Sequence, residues 1–137
     1  VGNCSAGGFY EDASFNNQVF VLNQTNGTWG TAQEVPGFPA LDTGSPGGEL
    51  TSVSCGAPGD CSAGGFYSDS SGFLQAFVVT QTGGTWGTAE EVPGTAALNT
   101  GGLAAAESLS CSPGGNCSAG GHYTTSNLST QAFVVGS

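Results

Sequence analysis

The run Cys-Ser-Ala-Gly-Gly occurs three times, starting at Cys4, Cys61 and Cys117, at spacings of 57 and 56 residues. Self-similarity at a fixed period of this size marks a series of like units, each too small to bury its own apolar surface and stable only when stacked on its neighbours. The likeness extends beyond the motif. Residues 54 to 67 read SCGAPGDCSAGGFY, residues 110 to 123 read SCSPGGNCSAGGHY, and residues 3 to 10 read NCSAGGFY. Between the first two copies the same offset carries Trp29 onto Trp86, Pro36 onto Pro93 and Leu41 onto Leu98.

Within a unit the signals are those of short strands divided by turn residues. LTSVSC alternates and runs into a Gly- and Pro-rich turn, and CSAGGFYSD leaves it as the second arm of a hairpin. QAFVVTQT is rich in β-branched and aromatic residues, and a Gly-Gly or Asn-Gly turn leads from it into TWGTAEEV. Both dipeptides favour the positive φ of tight hairpins. The expectation is all-β: four-stranded antiparallel blades of about 56 residues, stacked in a β-propeller-like array. LAAAES, near the start of the third copy, reads as loop, by comparison with PGGEL in the second.

The order of these strands and their marker residues resembles the kelch repeat. The markers are the double glycines Gly7 and Gly8, Gly64 and Gly65, Gly120 and Gly121, the tryptophans Trp29 and Trp86, and the prolines Pro36 and Pro93, seven residues beyond each tryptophan. The chain departs from the kelch pattern in its cysteine pairs and in lacking a linker arginine. The resemblance implies that each unit is a propeller blade with its first strand innermost, and that Trp86 and Val79 fill the core between blades. On that reading residues 1–36 are a partial blade holding strands two to four, 50–93 a complete blade, and 106–137 a partial blade holding strands one to three, with linkers at 37–49 and 94–105. Ten strands do not close a ring, so a fragment of a longer array, or a subunit completed by neighbouring copies, is expected.

The cysteines fit neither a zinc site nor a redox pair, which need shorter gaps and, for zinc, four ligands. Cys55 and Cys61, and likewise Cys111 and Cys117, flank a turn between antiparallel strands, where opposed Cβ atoms come within bonding range. Two disulfides are expected, with free buried thiols as the alternative; bridges would place the protein in an oxidising, extracellular compartment. Cys4 has no counterpart six residues upstream and is expected to be unpaired within the chain.

Among its 137 residues the chain has 10 Asp and Glu and neither Lys nor Arg, for a formal net charge of −10. It cannot neutralise phosphates, so nucleic acid is not an expected partner, and neither charge nor any apolar run suits a membrane. His122, the single histidine, stands where the other copies have Phe9 and Phe66 and reads as a strand-face residue. The acidic stretches EDASFNN and SDSSG lack the spacing of a calcium loop and read as solvated loops, and Glu90 and Glu91 as charges that blunt a sheet edge. No catalytic residue, cofactor or metal is expected. Trp29 and Trp86 are candidates for stacking on sugar rings, against core packing as the plainer role. Among the Asn-X-Ser/Thr sequences, Asn26 and Asn127 lie in turns and are the best placed for glycosylation. The function expected is a non-catalytic extracellular repeat protein, structural or adhesive, that binds neighbouring repeats, copies of itself, a protein or a polysaccharide. The alternative is a multivalent lectin-type propeller, and a hydrolase or oxidase fragment stands behind both.

Overall fold

A computed structural model describes residues 2–137. Its secondary structure is mainly β, arranged in three antiparallel sheets, one for each copy of the repeat. Sheet one contains β1 (Cys4–Glu11), β2 (Asn17–Thr25), β3 (Thr28–Trp29) and β4 (Gln33–Glu34). Sheet two contains β5 (Glu49–Ala57), β6 (Asp60–Ser68), β7 (Leu74–Thr82), β8 (Thr85–Trp86) and β9 (Glu90–Glu91). Sheet three contains β10 (Ala104–Cys111), β11 (Cys117–Thr124) and β12 (Thr130–Gly136). Each sheet is a meander of sequential hairpins.

The expected fourth strand is present in two pieces. β3 pairs with the end of β2 and β4 with its middle, and β8 and β9 repeat this on β7. The break falls at Gly30 and Gly87, whose N–H groups still bond to the carbonyls of Asn23 and Thr80, both at 2.8 Å.

The linkers hold one feature that was not anticipated and one that corrects an expectation. Each linker contains one helical turn, α1 (Phe38–Leu41) and α2 (Thr95–Leu98), entered through a glycine at positive φ, Gly37 at 78° and Gly94 at 85°. LAAAES is not loop: β10 begins at Ala104, inside the expected linker, and pairs Ala104 with Tyr123 and Ala106 with Gly121. Alanine has little strand preference of its own, but all three are buried, Ala104 and Ala106 against sheet two, and the ladder and the lack of side-chain bulk decide.

Apolar residues on both faces of sheet two are covered by its neighbours. Toward sheet one, Ala63, Tyr67, Phe77, Val79, Trp86 and Ala89 form one core with Val19, Val21, Val35 and Phe38. Toward sheet three, Ala76 and Val92 pack with Ala104 and Ala106, joined by the partly buried Val78, Tyr123, Phe133 and Val135. Phe38 on α1 meets Phe77 edge to face, with ring centroids 5.1 Å apart.

The first strands bring the sheets together along one side. Ser52 Oγ and Ser54 Oγ on β5 accept the N–H groups of Leu109 and Cys111 on β10, each at 3.0 Å. The first and second strands of a sheet are so close at the double glycine that a Cβ on Gly65 would lie 1.9 Å from the Glu49 carbonyl oxygen. At Gly121 the corresponding distance to the Ala105 carbonyl is 2.0 Å.

Both expected bridges are present. Cys55 bonds to Cys61 and Cys111 to Cys117, between residues directly paired in the β5–β6 and β10–β11 ladders. Closing so short a loop contributes on the order of 2 kcal/mol in the chain-entropy account. Cys4 is free and exposed.

Trp86 is 4% exposed and Trp29, its repeat counterpart, 47%. Truncating the buried ring removes its packing and leaves a cavity. Trp86→Ala is therefore expected to cost about 3–5 kcal/mol in chemical denaturation, and Trp29→Ala about 1 kcal/mol or less.

Candidate functional site

The polar residues with the most definite geometry cluster where sheets one and two meet at the disulfide end. Asn23, on β2, reaches across the junction and its Oδ1 accepts three donors: Ser5 Oγ at 3.0 Å, Gln81 Nε2 at 2.9 Å and the Trp86 indole N–H at 3.3 Å. Its Nδ2 donates to the Gly84 carbonyl. The repeat puts Thr80 at this position in sheet two, so only the first junction has the hub. In the sequence Asn23 is marked only as one of the Asn-X-Ser/Thr sites, which gives no sign of a contact between sheets, and sequence reasoning missed this role.

Beside the hub lies an open cavity of about 690 Å³, lined by Cys4, Ser5 and Asn23 from sheet one and by the Cys55–Gly59 turn and Gln81 from sheet two. Gln81 is 1% exposed, and its Oε1 is buried without a hydrogen-bond partner. The lining contains neutral amides, hydroxyls, backbone and sulfur but no carboxylate. It offers hydrogen bonds to an uncharged, extended polar group and no electrostatic grip on an ion.

The other end of each junction holds a second polar set. Asp12 accepts the N–H groups of Ser14 and Asn16 through Oδ1 and the Gln18 amide through Oδ2. Asp69 repeats the pattern with Ser71, Phe73 and Gln75. The backbone bonds from Asn16 and Ser14 hold Asp12 below the usual carboxylate range. Burial pushes Asp69 upward, but its bonds to Gln75, Phe73 and Ser71 outweigh that and leave it lowered. These carboxylates organise the loops expected to be merely solvated, and their oxygens are already committed to N–H donors. Among the described residues no three His, Cys, Asp or Glu side chains gather as a metal ion would require.

Behind these loops the two junctions differ by one atom. Asn99 donates through Nδ2 to the Leu74 carbonyl at 2.8 Å and to Gln75 Oε1 at 3.0 Å. Its counterpart is Asp42, whose Oδ1 accepts the Ser68 N–H at 2.8 Å but which when ionised has no proton to give. Gln18 Oε1, the counterpart of Gln75 Oε1, is buried and unpartnered. Burial raises Asp42 above the usual carboxylate range, the Ser68 N–H opposes this, and the Asp12 charge adds to it.

The remaining candidates are dispersed. His122 Nδ1 lies 3.2 Å from Glu107 Oε1 on an exposed part of sheet three. Glu91 accepts the Tyr67 hydroxyl at 2.8 Å, and burial first, then that bond, hold the phenol protonated well above its ordinary range. Glu90 is exposed beside it. Asn26 stands exposed in a turn at φ 51°, and Asn127 is exposed with its Oδ1 capping a loop through the Ser129 N–H. Trp29 borders a shallow cavity of about 300 Å³ with Leu22, Thr28 and Gln33, whereas the Trp86 ring is enclosed. No helix among the described residues is long and apolar enough to cross a membrane. No protein-family model matches the chain, and no curated protein matches it in sequence.

The Asp42 and Asn99 comparison gives a pH-dependent expectation. A carboxyl whose folded pKa lies above its unfolded value binds its proton more tightly in the folded state, so stability is lost as pH rises through that interval. Asp42→Asn abolishes that loss and supplies the missing donor to Gln18. Denaturation at pH 7 should show a gain of about 1 kcal/mol, which shrinks as pH falls through the raised range of Asp42 toward about 3.9, the ordinary Asp value, and is smallest below it.

Proposed function

We propose that this chain is a non-catalytic, secreted repeat protein, structural or adhesive, whose kelch-like, propeller-type units form an interaction scaffold for protein or polysaccharide. The observation that supports this best is the apolar face left open on sheet one. Tyr10, Phe20, Leu22, Trp29 and Ala32 are the repeat counterparts of Tyr67, Phe77, Val79, Trp86 and Ala89, which sheet one covers on sheet two. On sheet three the opposite face is open, and Val134, the counterpart of Val21 and Val78, is 82% exposed. The two open faces correspond to the two sides of the junctions within the chain, so like units, including those of a second copy, are the partners that fit them head to tail. Two intramolecular disulfides suit an oxidising compartment, and a surface without Lys or Arg gives trypsin-like proteases no cleavage site.

A second reading, lectin-type binding, draws on the half-exposed Trp29 indole beside its shallow cavity. Because Trp86 is enclosed, that reading has one stacking platform and not one in every unit.

Sedimentation velocity separates the two. The scaffold reading expects association that grows with concentration and is weakened about tenfold or more, or roughly 1.4 kcal/mol, by Trp29→Asp or Val134→Asp. A monomer at every concentration overturns it, and glycan-array binding lost in Trp29→Ala would favour the lectin reading.

A further inference from the structure

The outer edge of β1 differs from its two counterparts. β6 and β11 are each flanked on both sides, by β5 and β7 and by β10 and β12, whereas among the described residues β1 is paired on one side only, with β2. Three residues on β1 and its approach nevertheless keep the form they have in a complete unit. Gly2 sits at φ 93° and accepts the Gly27 N–H at 2.8 Å, as Gly59 sits at φ 83° and accepts the Gly84 N–H at 2.9 Å. Cys4 occupies the position of Cys61 and Cys117, which are bridged to a first strand, but carries a free, exposed thiol. Gly8 is the counterpart of Gly65 and Gly121, where the carbonyl of a first strand leaves no room for a Cβ. At Gly8 an added Cβ would meet only the ring edge of Phe20, at 3.3 Å.

The space beside this edge is already shaped. At the second junction the side-by-side first strands also meet at their ends: a Cβ on Gly56 would lie 1.9 Å from the carbonyl oxygen of Ser112, just beyond β10. At the first junction the place corresponding to that contact is the 690 Å³ cavity between Cys4 and the Cys55–Gly59 turn. Val53 and Cys55 on β5 are the repeat counterparts of Leu109 and Cys111 on β10, whose N–H groups bond to Ser52 and Ser54.

We propose that the β1 edge is an acceptor site for a cysteine-bearing extended segment of the Glu49–Ala57 type, added antiparallel to β1 with its cysteine opposite Cys4. The segment's carbonyl lies over Gly8, its serines meet β5, and its end fills the cavity. Main-chain bonds supply the affinity and the register of the cysteine the specificity. The covalent step is thiol–disulfide exchange: the Cys4 thiolate attacks the sulfur of an incoming cysteine carried as a mixed disulfide with a small thiol. One S–S bond forms, one breaks, the small thiolate leaves, and the Cys4 proton goes to solvent. The proposal rests on the equivalence of the three units and not on the scaffold reading. It concerns the edge of sheet one, whereas the sedimentation test probes its face, so either can fail alone.

The test uses the 137-residue chain and a peptide with the sequence of residues 49–57, ELTSVSCGA, its cysteine carried as a mixed disulfide with thionitrobenzoate. Release of thionitrobenzoate should be at least about tenfold faster than with a scrambled peptide of the same composition, because strand pairing raises the local concentration of the two sulfurs. Peptide mapping should find the link at Cys4, and amide exchange should slow along β1. Gly8→Ala should leave the melting temperature unchanged and remove the rate advantage, because its methyl occupies the place of the incoming carbonyl. Equal rates for the two peptides, an undiminished advantage in Gly8→Ala, no slowing of exchange along β1, or conversion to a Cys4–Cys4 dimer with the peptide left in solution would each overturn the proposal.

Discussion

A four-stranded sheet with apolar side chains on both faces has to be covered twice, and no part of a unit this short can fold back to do so. Everything else in the structure follows from that requirement. Sheet two meets it by receiving Val19, Val21 and Phe38 on one face and Ala104, Ala106 and Phe133 on the other. The sheets can approach because the residues along the first and second strands are small. Between sheets, glycine at 64 leaves room for Leu109, whose Cδ1 would lie 3.1 Å from an added Cβ; within a sheet, glycine at 65 and 121 lets the first and second strands lie closer than any side chain tolerates. The helical turns α1 and α2 then seal the far side of each junction, where a polar residue, the half-buried Asp42 or the buried Asn99, ties the linker to the next sheet.

Much of this was legible in the sequence because the repeat states it more than once. The double glycines, the tryptophans and the cysteine pairs recur at one spacing, and each recurrence has a physical reason: backbone approach, junction filling, a hairpin cross-link. What was illegible arises where copies differ or where tertiary pairing overrides local preference. PGFPAL and PGTAAL wind into helical turns because a glycine at positive φ redirects the chain, a detail that neither proline nor glycine alone announces. The alanines of LAAAES become strand only because a partner strand and a buried slot await them. Asn23 gathers three donors at a position where the next copy has threonine, so periodicity gave no reason to look there. The surplus negative charge also looked unstructured, yet Asp12, Asp42 and Asp69 are each bonded to backbone N–H groups that a loop or linker would otherwise leave open.

With neither lysine nor arginine in the chain, the units associate without side-chain ion pairs other than what His122 can form with Glu107. The contacts that set the register between sheets are hydroxyl and amide groups meeting backbone: Ser52 and Ser54 with β10, Asn23 with β8 and its turn, Asn99 with β7. Such bonds between neutral groups are short-ranged and little screened by salt. The junctions are accordingly indifferent to ionic strength, apart from the repulsion among the surface carboxylates.

The position of the two bridges has a mechanical consequence. Each closes a loop within one hairpin, between cysteines six residues apart, and neither ties one sheet to the next. Under tension along the chain, a bridge withholds only about 20 Å of contour, at roughly 3.5 Å per residue, from the length its unit can release. The sheets are thus free to peel from one another in turn, each yielding its slack separately, while the hairpin nearest the common seam stays knotted as a template on which the unit can re-form.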